Sequence, residues 1–399
     1  MFNTPTVFVL GAGASWHYGY PTGESLVDLI IKKADELAAF FSFGESRASG
    51  NQPDFIRRKL ANTEGLTTRE WRDASIEARM LAARLKQVNP TLIDYFLAQN
   101  DELQDIGRLV IALVIFDCED EQYRIGGNPN HLHLHRQRVA QALASVNSPL
   151  PRHTSFGDDW LRFVLYKLTS GCQKSQDLMR NDVRFVTFNY DTSLERRLFD
   201  GLSNISRFEF SDVEKFLSRD RVLHIYGGIR EEIEKKFEQI NVGLTARVDM
   251  SGFIDSVAYL NRAYKASQGI RTIDGDDKVK NTKVIEAAKR EIARAETVYI
   301  LGFGFDEANS QRIGLDMLRP DSNAGRTVFF TNYNGYNRVG SSAGRILLSD
   351  WQAFLPPERA VKSSYQVGMS GECFDYRCEM SLKNVYDALA QDFELRDSS

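Results

Sequence analysis

Cysteine is scarce in this chain. Its 399 residues hold four, Cys118, Cys172, Cys373 and Cys378, and no two of them form a C-x-x-C pair. That excludes a disulfide framework and a zinc ribbon and fits a reducing compartment. Positive charge is not in excess either, with 50 Lys and Arg against 54 Asp and Glu, a net charge of −4. Without a basic footprint, direct nucleic-acid binding is not expected. No stretch approaches the roughly 18 consecutive apolar residues of a membrane-spanning helix. The opening MFNTPTVFVLGAGAS lacks the basic and apolar regions of a secretion signal. The expectation is a cytoplasmic protein with no membrane anchor. Internal repeats and low-complexity tracts are absent as well.

What is present is an ordinary globular composition, 42% hydrophobic and 26% charged. The β-branched apolar run Thr6 to Leu10 ends in glycines and predicts a buried strand, and further strands are predicted at Val183 to Phe188, Val222 to Tyr226, Thr297 to Leu301 and Thr327 to Thr331. Helical spacing follows Pro21-Thr22-Gly23, with Thr22 or Ser25 placed to cap, and recurs at Asp158 to Leu168 and Val279 to Ala295. Strands alternating with helices predict an α/β fold built on a doubly wound parallel, Rossmann-like sheet. Residues 1–41 and 151–355 are assigned to that domain, with 228–278 as a smaller excursion from it. Helical patterns at Ala74 to Gln87, Thr91 to Gln99 and Glu102 to Phe116 make residues 42–150 a large helical insertion. Residues 356–399 form a C-terminal extension with a helix around Leu382 to Phe393.

Open α/β sheets bind ligands beyond the carboxyl ends of their strands, so the residues there are read for chemistry. Gly11-Ala12-Gly13-Ala14-Ser15 follows the first strand, where glycines allow a diphosphate to approach the backbone and a following helix offers free N–H groups. The same residues also read as a plain tight turn, and Trp16 stands where a dehydrogenase fingerprint requires its third glycine. Thr187-Phe188-Asn189-Tyr190-Asp191 closes the second strand, its Asn and Asp suited either to catalysis or to capping the next helix. His224 and Tyr226 share one face of an extended strand before Gly227-Gly228. Gly302-Phe303-Gly304 makes a second glycine turn, followed by Asp306 to Asn309, and Thr331-Asn332-Tyr333 ends the next strand.

Taken with Gly19-Tyr20-Pro21-Thr22-Gly23, the GAGAS loop resembles the opening motif of sirtuins and their prokaryotic sirtuin-like relatives. Thr187, Asn189 and Asp191 resemble the T-x-N-x-D motif of that family, and Leu92 to Leu97 resembles an "IDxFL" helix of its prokaryotic members, with Asp94 structural. The resemblance spans residues 7 to about 333. It implies NAD as substrate, held by Gly11, Ala12, Gly13, Ser15, Tyr20, Pro21, Thr22, Thr187, Gly302, Phe303, Gly304 and Asn332, with Asn189 and Asp191 beside the scissile bond. The family carries its catalytic histidine immediately before a glycine, where this chain has Tyr226, so the proton acceptor is His224 or Tyr226.

Sirtuin deacetylases carry a four-cysteine zinc module that this sequence lacks, and the helical insertion takes its place in the chain. Water is then the expected acceptor, and the resemblance implies an NAD glycohydrolase that yields ADP-ribose and nicotinamide, with no metal. It further implies a bacterial antiviral effector acting by NAD depletion, homo-oligomeric and controlled by a partner such as a HerA-type hexameric ATPase. A non-catalytic NAD- or ADP-ribose-binding assembly subunit is the alternative, and a protein deacylase the third. His131, His133 and His135 form a separate cluster that reads as a solvated or partner-facing helix rather than a metal site, since Arg136 and Arg138 follow and no ligand partner stands at motif spacing.

Overall fold

The computed structural model describes residues 1–46, 53–57, 68–124, 160–218, 220–229, 250–271, 278–318, 327–333, 337–347 and 373–378. They fall in two compact units, one of Met1–Tyr18, Arg152–Ile225 and Val279–Ser399, the other of Gly19–Pro151 and Tyr226–Lys278.

The first unit is Rossmann-like α/β. Its strands are β1 (Thr6–Leu10), β2 (Val183–Thr187), β3 (Val222–His224), β4 (Thr297–Leu301), β5 (Thr327–Tyr333) and β6 (Cys373–Cys378). They form a six-stranded sheet in the order β3-β2-β1-β4-β5-β6 with every pairing parallel. The chain builds outward from β1 through β2 and β3, then crosses back and builds the other way from β4, so the strand order reverses between β1 and β4. All five residues of β1 are buried, as an unbroken apolar run in a sheet covered on both faces requires.

Register lines up Phe185, Phe8, Tyr299 and Phe329 on four adjacent strands. Their ring centroids are 5.3, 4.8 and 5.0 Å apart along the row, in near-parallel stacks. Each such contact contributes about 0.5–1.5 kcal/mol beyond burial and fixes the lateral register of the central strands. Trp160 stacks on Phe8 from above, and the helix Ser193–Ser203 adds Leu194, Leu198 and Leu202 to the same core.

The amino edge of the sheet is tied by polar groups. Asn181, 1% exposed, accepts the Phe2 N–H at 2.8 Å and donates to the carbonyls of Leu168 and Leu178, both at 3.1 Å. Arg221 donates to the carbonyls of Asn181 and Val183 at 2.7 and 3.2 Å, its guanidinium 4.2 Å from the Phe216 ring centroid. Burial lowers the Arg221 pKa to about 10, which leaves it charged at neutral pH. Arg294 grips Asp182 with two bonds, at 2.9 and 2.6 Å, and holds that carboxyl below its usual range.

The second unit is helical among its described residues, with Gly23–Ser46, Thr68–Val88, Gln104–Arg124 and Met250–Ser267 as its long helices. The sequence placed the first of these with the sheet domain, as far as residue 41. Its apolar face is instead used inside the helical unit: Phe41 stacks on Phe55 at 5.9 Å and meets Trp71 edge-on at 6.2 Å. Lys33, Asp117 and Tyr259 bind three of these helices together, the Lys33 ammonium 2.6 Å from the Asp117 carboxylate and the Tyr259 hydroxyl donating to that carboxylate at 2.7 Å. The excursion expected over 228–278 also falls in this unit.

Four strand expectations change. β2 ends at Thr187 rather than Phe188, the Val222 strand ends at His224 rather than Tyr226, β5 runs two residues further than Thr331, and β6 was not foreseen at all within the C-terminal extension. The helix expected at Leu382 to Phe393 lies outside the described residues, as does the histidine cluster at 131, 133 and 135. Among the described residues, no helix is long and apolar enough to cross a membrane.

Candidate active site

Parallel strands deliver all their carboxyl ends to one edge, and there the ends of β1, β2 and β3 converge on a single hydrogen-bonded web. Its centre is Ser15. Asn189 donates from Nδ2 to Ser15 Oγ at 2.8 Å and to the Gly11 carbonyl at 3.0 Å. Ser15 Oγ donates to Asp191 Oδ1 at 3.1 Å, which leaves Ser193 Oγ, 3.0 Å away, as a second donor to Ser15. Asp191 Oδ1 also accepts the Ser193 N–H at 2.9 Å. Ser15, Asn189, Asp191 and Ser193 are all buried.

The capping role weighed for Asp191 is therefore realised, since Ser193 opens the helix Ser193–Ser203 and Thr192 before it makes no side-chain cap. Burial pushes the Asp191 carboxyl above the usual carboxylate range, and the neighbouring Glu195 adds to that rise while bonds from Ser193 and Ser15 oppose it. A buried carboxyl of this kind is a recurrent feature of sites that move protons.

His224, the last residue of β3, joins the same web. Its Nδ1 lies 3.0 Å from the Asn189 carbonyl and its Nε2 2.7 Å from Glu195 Oε1. Both ring nitrogens are thus engaged within the protein. Tyr226 does not sit on the strand with it. Ile225 donates to the Thr187 carbonyl at 2.9 Å, and the chain then turns, so the shared-face argument for Tyr226 fails. Gly227 makes that turn at φ +63°, where a Cβ would lie 1.9 Å from the Gly269 carbonyl oxygen. Tyr226 is buried in the second unit, where its carbonyl accepts the Arg271 N–H at 2.9 Å.

The glycine loops bond to each other, as a tight-turn reading implies. Gly13 donates to the Gly302 carbonyl at 3.1 Å and Gly11 to the Leu301 carbonyl at 2.9 Å, while Ala14 and Ser15 donate within their own 3-10 turn. Most of the loop's amides are thus spent inside the protein, and no α-helix begins before Gly23 to offer free ones. A Cβ on Gly302 would lie 2.1 Å from the Ala14 nitrogen, and one on Gly11 2.4 Å from the Gly302 carbonyl oxygen. The glycines let the ends of β1 and β4 pack backbone to backbone.

Around the second turn, Gly302 donates to Thr331 Oγ1 at 2.8 Å, and Phe303 stacks on Phe188 at 5.0 Å. Gly304 faces open space. Asp306 caps the short helix Glu307–Arg312 by accepting the Asn309 N–H at 3.0 Å. Thr187 accepts the Asn189 N–H at 3.0 Å and so shapes the turn that carries the motif. Asn332 is in register with Arg377 on β6. Tyr20, Pro21 and Thr22 belong to the second unit, where Thr22 hydrogen-bonds Ser25 at the start of Gly23–Ser46.

Three contributors were not singled out from sequence. Ser193 and Glu195 sit in the first helical turn, where such residues read as caps. Trp160 pins the glycine loop by donating from Nε1 to the Ala14 carbonyl at 3.0 Å, a contact across 146 residues with no local signature. Ser15, Asp191, Ser193, Glu195, His224 and Trp160 line a cavity of about 10 Å³, the size that admits one water.

Compared with protein-family models, with curated proteins and with solved structures, the chain matches none. Fold and site together define a Rossmann-like α/β protein with a buried Asn, Asp, Ser and His-Glu constellation at the carboxyl edge of its sheet.

Proposed function

We propose that the first unit is an NAD glycohydrolase, cleaving NAD to ADP-ribose and nicotinamide. The observation that carries this reading is the convergence of Ser15, Asn189, Asp191 and His224, from three separate strand ends, on one buried web beside the reversal of strand order. Loss of nicotinamide creates a cationic, oxocarbenium-like ribosyl centre, which an anionic carboxyl stabilises and an oriented amide helps to position. Asp191 and Asn189 supply those two groups. Water then adds to the ribosyl carbon and releases a proton. Asp191 takes it, a task suited to a carboxyl whose affinity for protons is raised by burial. As part of the same proposal, the chain is a homo-oligomeric antiviral effector held in check by a HerA-type ATPase, because unregulated NAD loss would kill the cell that makes it.

A second reading is favoured by the saturation of the web. Ser15 Oγ, the Asn189 amide and both His224 nitrogens are already partnered inside the protein. On that reading the unit binds NAD or ADP-ribose without turnover and serves assembly. Chromatography of NAD incubated with the purified chain, alone and with its genomic neighbour's product, separates the two. Nicotinamide and ADP-ribose in stoichiometric amounts are expected. A tight NAD complex without products would replace the hydrolase reading with the second one.

A further inference from the structure

Thr192-Ser193-Leu194-Glu195 spells a capping box, a Thr followed three residues on by Glu, in which the Glu normally reaches back to the amide at the start of its own helix. This helix departs from that pattern at its start, and its Glu bonds to a residue outside the helix. Thr192 makes no side-chain cap, Asp191 accepts the Ser193 N–H, and the Glu195 carboxylate turns to His224 Nε2 at 2.7 Å. Both side chains are nearly enclosed, 9% exposed for His224 and 11% for Glu195. A buried acid bonded to a histidine on another element holds that ring in place. On its far side, the ring meets the Asn189 carbonyl at 3.0 Å. A carbonyl oxygen only accepts, so Nδ1 carries a hydrogen, and a second hydrogen is shared between Nε2 and the Glu195 carboxyl.

From this geometry we infer that Glu195 and His224 form a buried positioning pair. The carboxylate anchors the imidazole, the imidazole grips the Asn189 peptide, and the Asn189 amide is thereby aimed at Ser15 and Gly11. Neither member is the proton acceptor of the reaction. The inference rests on the reading of Asn189 and Asp191 as the NAD-cleaving centre, and it goes beyond that reading by giving Glu195 a role and by changing that of His224. The ionisable side chains that share the cavity with the ring are Glu195 and Asp191.

Two substitutions in the full-length chain test it through rates of nicotinamide release across pH. Glu195→Ala removes the anchor and is expected to lower kcat about 10²-fold, the scale set by misplacing a reacting group by about 1 Å. Glu195→Gln keeps a hydrogen-bond partner for Nε2 and is expected to recover most of that loss in kcat, while the acid limb of the pH profile moves down because the charge that helps raise the Asp191 pKa is gone. A Gln variant as impaired as the Ala one overturns the inference. Nitrogen NMR of histidine-labelled protein, with His224→Gln for assignment, reads the pair without any substrate. A protonated Nδ1 at neutral pH is expected, and a bare Nδ1 rejects the pair. Absence of turnover in the parent chain would instead sink the NAD reading and leave the pair to be judged by this spectrum alone.

Discussion

The Asn189 amide reaches across 174 residues to donate to Ser15 Oγ at 2.8 Å, joining the turn after β2 to the glycine loop after β1. Ser15 in turn holds Asp191 at 3.1 Å, so one hydroxyl links the two groups assigned to the scissile bond. Asn189→Ala removes the centre of this arrangement. Nicotinamide release should fall about 10²–10³-fold, the scale for deleting one preorganised hydrogen-bond donor. The fold should survive with a loss of about 0.5–1.5 kcal/mol for one lost bond, since the Gly11 carbonyl keeps the Ala14 N–H at 2.9 Å. Product chromatography and a urea melt on the same preparation measure both, and full turnover in the variant would remove Asn189 from the site.

Asp191 offers a test in which stability and activity move in opposite directions. Its folded pKa is raised, chiefly by burial, so the folded state favours the protonated carboxyl. The sign follows: stability contributed by the neutral acid is present below the unfolded value near about 4 and declines as pH rises toward the folded value. Asp191→Asn keeps an oxygen for the Ser193 N–H and the Ser15 hydroxyl but cannot ionise. It should melt higher than the parent at pH 8, with the advantage shrinking as pH falls toward 4, while nicotinamide release is lost. A variant that melts lower at pH 8 would show that the web needs the negative charge.

The two glycine turns predict a contrast between neighbours. Gly302 has φ +60° and its Cβ would lie 2.1 Å from the Ala14 nitrogen, whereas nothing lies within 4 Å of a Cβ on Gly304. Gly302→Ala therefore incurs the left-handed penalty of about 1–2 kcal/mol together with a backbone clash that must push β1 and β4 apart. Gly304→Ala should change the melting midpoint little. Equal effects at the two positions would mean that the loops do not pack as described.

The carboxyl-edge site was largely legible because topology does the assembling. Once β-branched runs are read as parallel strands, their following residues must meet at one edge, and that brings Gly11, Asn189 and His224 together whatever lies between them in the chain. Partners beyond that edge were not legible. Helical spacing in Gly23–Ser46 shows that one face is buried, but not that Phe41 would find Phe55 and Trp71 rather than the sheet. The apolar run through Tyr226 hides the turn after His224, which depends on where Gly227 meets Gly269. β6, Cys-Phe-Asp-Tyr-Arg-Cys, alternates charged and apolar residues and carries no buried-strand signal. Glu195 reads as a helix cap until the histidine is seen beside it.

The amino edge gives the sharpest stability prediction, because Asn181 meets three separate segments with one side chain. Its Oδ1 takes the Phe2 N–H, its Nδ2 serves the carbonyls of Leu168 and Leu178, and its own carbonyl receives the buried Arg221 guanidinium. Asn181→Leu fills similar space but orphans the buried Phe2 N–H, while the Leu178 carbonyl keeps the Asn181 N–H and the Leu168 carbonyl keeps the Cys172 thiol. The orphaned donor costs about 1–3 kcal/mol and the two lost bonds add to it, so a loss of about 2–4 kcal/mol is expected. That is a large part of the total stability of an ordinary domain. The site web lies at the opposite edge of the sheet, so nicotinamide release per folded molecule should be unchanged at a temperature where the variant remains folded. Urea unfolding gives the first number and an activity assay below the transition gives the second. A loss under about 0.5 kcal/mol, the range of ordinary surface changes, would mean that water serves these groups as well as Asn181 does.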